Sequence, residues 1–220
     1  MIVACWSVKG GVGTTVVAAG TALSSSERRG WPVLLVDLAG DLPYCLGVAD
    51  QTGSGVAEWS STGPMVPADA LSRLCRPVAP ALELLTRGSG PLAEERADLF
   101  VQLLAESGRT VVVDCGRIED SAFASTVAAR AHRSLLVTRL CGLALRRATR
   151  APLRPSGVVV VREPGRAMSA RDVENVLHAP VVAELSLDPA VARAVDAGLF
   201  VARRPRSFSA AVDAVTGRVA

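Results

Sequence analysis

Lysine is almost missing from this chain. Of its 24 basic residues one is lysine and the other 23 are arginine. Aromatic residues are scarce at 4%, so a core must be built from Val, Leu and Ala. Histidine appears twice, as His132 and His178, with no metal-ligand spacing and no nucleophile motif around either. No C-x-x-C pair occurs among Cys5, Cys45, Cys75, Cys115 and Cys141. That spacing excludes a zinc ribbon and a dithiol redox motif, and reads as buried free thiols in a reducing compartment. No run approaches the roughly 18 apolar residues of a membrane span. No charged leader precedes the first apolar stretch. These absences predict a cytoplasmic chain without an integral membrane segment.

What is present begins at the lone lysine. Lys9 opens the run Lys9-Gly10-Gly11-Val12-Gly13-Thr14-Thr15. Arginine replaces lysine poorly where a slim point charge must enter a cradle of backbone N–H groups. Three glycines after a short apolar run, Ile2 to Val8, and before a helical pattern, Thr15 to Arg29, make such a cradle. The free N–H groups of the first helical turn and the helix dipole then face an anion. Thr15 is placed to put a hydroxyl on Mg²⁺.

Apolar strand-like runs and helical stretches alternate along the chain. Val33 to Asp37, Leu82 to Leu85, Thr110 to Asp114, Ser134 to Thr138, Gly157 to Val161 and Pro180 to Glu184 read as strands. Leu92 to Glu106, Ser121 to Ala131, Leu140 to Arg150, Ser169 to Leu177, Pro189 to Ala197 and Ser207 to Gly217 read as helices. Residues 38–65 read as irregular with one short helix. The alternation predicts a doubly wound α/β fold: a mainly parallel sheet with helices on both faces, in a single domain over residues 1–220. Ligands of such folds sit beyond the C-terminal strand ends, where Asp37 and Asp114 fall.

The glycine run departs from the common P-loop, G-x-x-x-x-G-K-S/T, having Val8 at the first glycine and Thr14 at the lysine. It fits the form K-G-G-x-G-K-S/T. With Val33 to Asp37, Val111 to Asp114 and Val181 to Val191, the chain resembles the ParA/MinD family of deviant Walker ATPases. The form with Thr14 looks most like its CpaE/TadZ branch, which positions pilus, Tad secretion or septum machinery. The resemblance implies ATP and Mg²⁺ as cofactors and an ATP-sandwiched homodimer. Lys9 resembles the signature lysine that reaches the partner's phosphates. Gly10, Gly11, Val12, Gly13, Thr14 and Thr15 resemble the cradle. Thr15, Asp37 and Asp114 resemble the Mg²⁺ set, Asp114 as the Walker B carboxylate.

Three positions depart from that pattern. Thr14 replaces the lysine that bridges the outer phosphates. Ala39 stands where a second aspartate orients the attacking water, with Asp41 as the nearest substitute. Arg162 stands where many members carry an adenine-reading Asn; an arginine offers no acceptor and as a cofactor-binding residue would instead stack on a base or bind a phosphate. Weak or absent hydrolysis is therefore expected on a binding scaffold. A dimerising ATPase in which Lys9 and Asp41 compensate is the second reading.

A DNA-associating protein is the third reading. It would use Arg139, Arg146, Arg147, Arg150 and Arg154, with Arg203, Arg204 and Arg206 as a second cluster. Phe208, Val212 and Val215 form an apolar stripe near the C-terminus. The stripe reads as docked on the core rather than as a membrane helix that would recruit the protein to the inner face of the membrane.

Overall fold

The structure is a computed structural model and describes residues 1–29, 31–48, 53–63, 67 and 69–217. Eight strands form one sheet: β1 (Ile2–Ser7), β2 (Val33–Asp37), β3 (Arg76–Ala79), β4 (Leu82–Leu85), β5 (Thr110–Arg117), β6 (Arg133–Arg139), β7 (Gly157–Arg162) and β8 (Val181–Ser186). Their order is β3-β4-β2-β5-β1-β6-β7-β8. Every pair is parallel except β3 with β4.

The helices are α1 (Thr14–Arg29), α2 (Leu42–Leu46), α3 (Val56–Ser60), α4 (Ala70–Leu74), α5 (Ala97–Glu106), α6 (Ala122–Arg130), α7 (Gly142–Ala148), α8 (Ala170–Leu177), α9 (Pro189–Asp196), α10 (Phe200–Arg203) and α11 (Arg206–Gly217).

Side chains alternate across a strand, and here both faces are covered. Ile2, Ala4 and Trp6 of β1, with Leu34 and Val36 of β2, join one core with residues of α3, α5, α6 and α7. Val3, Cys5, Val33 and Leu35 join the other, with residues of α1, α2, α9 and α11. This explains unbroken apolar strands in a chain with few aromatics. Trp6 spans its layer and donates from Nε1 to Ser134 Oγ at 2.9 Å. His132 is a packing residue: its Nδ1 accepts the Ile2 N–H at 3.1 Å and pins the start of β1.

Several boundaries differ from the sequence expectation. β3 goes unnoticed in the sequence because it is four residues long, antiparallel, at the sheet edge, and holds Pro77. Among the described residues of 38–65 two short helices form, α2 and α3, rather than one. The 92–106 helix opens with a tighter turn, Glu94–Arg96, before α5. α7 is shorter than its expected 140–150 span, so Arg139 lies on β6 and Arg150 beyond the helix end. All five cysteines are free, as expected, but Cys75 and Cys141 are only half-buried. The C-terminal stripe docks: Phe208, Val212 and Val215 are buried in the α1-side core. Residues 218–220 lie outside the described residues.

The chain enters α1 at the C-terminal end of β1. β5 and β6 flank β1 on opposite sides, so the loop between β1 and α1 sits where the winding reverses.

Candidate functional site: a glycine cradle over two buried carboxylates

The β1–α1 loop curls through positive φ at Gly11 (+71°) and Gly13 (+95°), a region that disfavours side chains bearing Cβ. A Cβ added at Gly10, Gly11 or Gly13 would meet nothing within 4 Å, so the space above these glycines is open. The first α1 bond runs from the Val17 N–H to the Gly13 carbonyl at 2.9 Å. The earlier N–H groups of the turn are left for a ligand.

That space is a cleft of about 540 Å³. Gly10, Gly11, Gly13, Thr14 and Thr15 line one side. Ala39 and Asp41 from the β2–α2 turn, Arg87 from the end of β4, and Gly116 and Arg117 from the end of β5 line the other. Val12 differs from its glycine neighbours. Its side chain is buried in the core and lines a separate, mostly apolar cavity of about 310 Å³ between α1 and the β8–α9 region.

Asp37 and Asp114 lie side by side in register on β2 and β5, both with zero exposure. They differ in what they hold. Asp37 Oδ1 accepts the Ala39 and Gly40 N–H groups at 3.0 and 2.6 Å, and Oδ2 accepts that of Leu42 at 3.1 Å. Both its oxygens are committed to folding the β2–α2 turn. Burial pushes its carboxyl up to about 6, against the pull of those N–H groups.

Asp114 has only one oxygen satisfied, Oδ1, by the Gly116 N–H at 3.0 Å. Its Oδ2 is buried without a hydrogen-bond partner among the described residues. Burial pushes Asp114 up to about 7. The nearby Thr15 hydroxyl opposes this and the Asp37 charge adds to it.

Neither carboxylate lines the cleft itself, but Thr15 does, and a buried oxygen with an unused lone pair next to that threonine fits a small hard cation. No cluster of three or more His, Cys, Asp or Glu suited to a metal occurs among the described residues. One threonine hydroxyl and one carboxylate oxygen are a donor set of the kind that Mg²⁺ takes, together with phosphate and water. Thr15 and Asp114 are the side chains available to hold it. A cation there would also stabilise the ionised carboxylates.

This has a pH signature. In the unfolded chain Asp114 titrates near 3.8, and in the folded chain near 7. Its contribution to stability is complete below the lower value and is lost as pH rises through the upper one. Wild type compared with Asp114→Asn in metal-free thermal melts is expected to lose relative stability steadily from about pH 4 to pH 7. A difference that is flat or grows across that window contradicts the assignment.

Lys9 is half-buried and does not line the cleft. Its charge is felt at Cys141, before α7. There the backbone N–H groups of Ala144 and Leu143 lower the Cys141 thiol, and the charges of Lys9 and Arg166 lower it further. Arg162 lines neither cavity beside the loop; its Nη1 donates to Glu184 at 3.1 Å and its side chain is 60% exposed.

Two residues gain roles that the sequence reading missed. Arg139, a member of the first arginine cluster, ties the β6 end to the cradle, donating to the Gly11 carbonyl and pairing with Glu163. Arg87 stands in the cleft wall. Its loop is held by Glu58, whose carboxylate accepts the Gly55, Ser89 and Gly90 N–H groups at 2.7, 2.9 and 3.3 Å. Gly88 is required beside it, since a Cβ there would stand 1.9 Å from Glu58 Oε2.

No protein-family model matches the chain, and no curated protein matches its sequence. Solved structures do. A ParA family ATPase from Chlorobium tepidum aligns over 97% of both chains at 21% identity, with a TM-score of 0.77. The MinC:MinD cell division protein complex of Aquifex aeolicus aligns over 98% of this chain and 94% of that one at 20% identity, TM-score 0.81. The septum site-determining protein MinD with Mg-ADP from Pyrococcus horikoshii aligns over 97% and 93% at 18% identity, TM-score 0.77. At such identities the likeness speaks for the fold: the chain is folded as a ParA/MinD-type P-loop NTPase, and its structural neighbours are ParA/MinD family ATPases.

Proposed function

We propose that this chain is a nucleotide-binding regulatory or positioning protein, a single P-loop domain over residues 1–220, with weak or absent ATP hydrolysis. The observation that carries the reading is Asp114 Oδ2, buried without a hydrogen-bond partner among the described residues and next to Thr15, which lines the open glycine cleft that Asp114 itself does not line. Those groups suit Mg²⁺ bridged to the phosphates of ATP or ADP. The neighbour solved with Mg-ADP supports that ligand.

Hydrolysis needs charge placed on the transferring phosphate and an oriented water. Thr14 brings no charge, and Ala39 brings no carboxylate to the cleft. Lys9 lies outside the cleft of its own subunit, a position suited to the phosphates of a partner copy across a homodimer. The protein would then switch between monomer and nucleotide-bound dimer, a population shift set by ligand. Pilus, Tad secretion or septum machinery of the CpaE/TadZ kind is the partner class we favour, in the cytoplasm or at the inner face of the membrane. No helix among the described residues is long and apolar enough to cross a membrane.

Sedimentation with and without Mg-ATP tests the switch. Wild type is expected to shift to dimer with ligand, and Lys9→Ala to stay monomeric. A Lys9→Ala protein that dimerises as wild type does contradicts the role of Lys9.

The DNA reading loses two of its arginines. Arg139 braces the cradle, and Arg204 pairs with Glu27 with its side chain only 7% exposed. Arg146, Arg147, Arg150, Arg154, Arg203 and Arg206 remain exposed for it.

A further inference from the structure

The cradle of this chain lends no cationic side chain to its own cleft: position 14 is threonine, and Lys9 is not among the lining residues. Two guanidinium groups do line it, Arg87 and Arg117, both from the β4–β5 side. Their settings are those of held but exchangeable groups.

Arg87 lays its stem over Gly40, where an added Cβ would sit 3.6 Å from its Cδ and where φ is +103°. One of its nitrogens, Nη1, donates to the Gly88 and Gly90 carbonyls at 3.3 and 3.1 Å. Those bonds leave the remaining donors of the five-donor fork for another acceptor. The Glu58 clamp on residues 88–90 fixes the loop in advance, so little ordering cost remains when a ligand arrives.

Arg117 is paired with Asp120, its Nε lying 2.9 and 2.8 Å from the two carboxylate oxygens. That pair is half exposed at the cleft rim, where an ion pair contributes little and a phosphate can compete for the same fork.

We infer that Arg87 and Arg117 bind the outer phosphates of the nucleotide, supplying from the β4–β5 side the positive charge that Thr14 withholds. The inference rests on the nucleotide reading above. It assigns to two residues outside the P-loop the affinity that a lysine at position 14 would give.

The test is calorimetric titration with Mg-ATP. The proteins are wild type, Arg87→Gln and Arg117→Gln, each also made with Thr14→Lys. Glutamine keeps a donor for the loop carbonyls or for Asp120 but removes the charge. Each single change is expected to weaken binding about 10- to 100-fold, the worth of one charge-assisted hydrogen bond. Beside Thr14→Lys, where a lysine contacts the same phosphates, the loss shrinks to a few-fold.

Equal affinity for wild type and both Gln variants overturns the inference. So does a loss of the same factor in both backgrounds, which is what a loop-bracing role alone produces. Should Arg87→Gln fail to fold, Arg87→Lys serves, with most of the affinity expected to be kept and a full loss contradicting. A wild type that binds no Mg-ATP at millimolar concentration sinks the nucleotide reading along with this one. Binding that ignores both arginines sinks only this one.

Discussion

A chain carrying Thr14→Lys together with Ala39→Asp is expected to release phosphate from Mg-ATP at least about 100-fold faster than wild type. One pre-organised charge or donor aimed at the transition state is worth on the order of 10²–10³ in rate. Both positions are already in place for it. Thr14 begins α1 and lines the cleft, and Ala39 lines it from the facing turn. Room for a longer side chain at position 39 comes from Gly116. A Cβ there, at φ +60°, would be 2.9 Å from the Ala39 Cβ, so the glycine keeps that approach clear. The turn itself need not change, because Asp37 grips the backbone of residue 39 and not its side chain. Single-turnover phosphate release on wild type and the double variant measures this. A double variant that binds Mg-ATP and hydrolyses it no faster than wild type contradicts the view that these two positions silence the site.

Replacing Asp37 with alanine should destabilise the fold by about 2–4 kcal/mol: a buried orphaned N–H such as that of Leu42 costs about 1–3 kcal/mol, and those of half-buried Ala39 and exposed Gly40 cost less. The three donors are Ala39, Gly40 and Leu42, and the acceptor has no exposure to be replaced by water. A small domain holds only about 5–15 kcal/mol in total. Urea unfolding of Asp37→Ala reads the loss. Asp37→Asn, which keeps one acceptor oxygen, should fall between the two. A loss under about 1 kcal/mol for the alanine variant would mean that the turn finds other partners. The same experiment separates Asp37 from Asp114, which was grouped with it as a metal residue on sequence alone. Asp114 Oδ2 has no hydrogen-bond partner among the described residues, so Asp114→Asn should cost far less stability at neutral pH while weakening the Mg²⁺ dependence of nucleotide binding.

The inner parallel strands were legible because they are buried on both faces. An apolar run such as Val33 to Val36 has little else to be when it ends in a carboxylate and follows a glycine turn and a helix. The cradle was legible for the same local reason: its glycines, the helix start and Thr15 are contiguous in the chain. What stayed hidden was whatever depends on residues far apart. Nothing near Arg87 in the sequence announces a cleft, because β4 reaches the site by pairing with β2, and Glu58 fixes its loop from α3. Proximity in the chain groups Arg139 with Arg146 to Arg154, while the strand runs through residue 139 and carries it to the cradle. The difference between Asp37 and Asp114 was equally invisible. Both end apolar strands, and only the backbone N–H groups of the β2–α2 turn decide which carboxylate is consumed.

The central claim is a site that binds Mg-nucleotide and scarcely turns it over. Calorimetric titration of the wild-type chain with Mg-ATP, followed by a phosphate-release assay on the same saturated sample, tests it most directly. Binding that needs Mg²⁺ and is weakened by Asp114→Asn is expected, with phosphate release near the background rate. Rapid, saturable phosphate release contradicts it by showing a working ATPase. Absence of binding at millimolar Mg-ATP contradicts it more deeply, leaving a fold whose cradle holds no nucleotide.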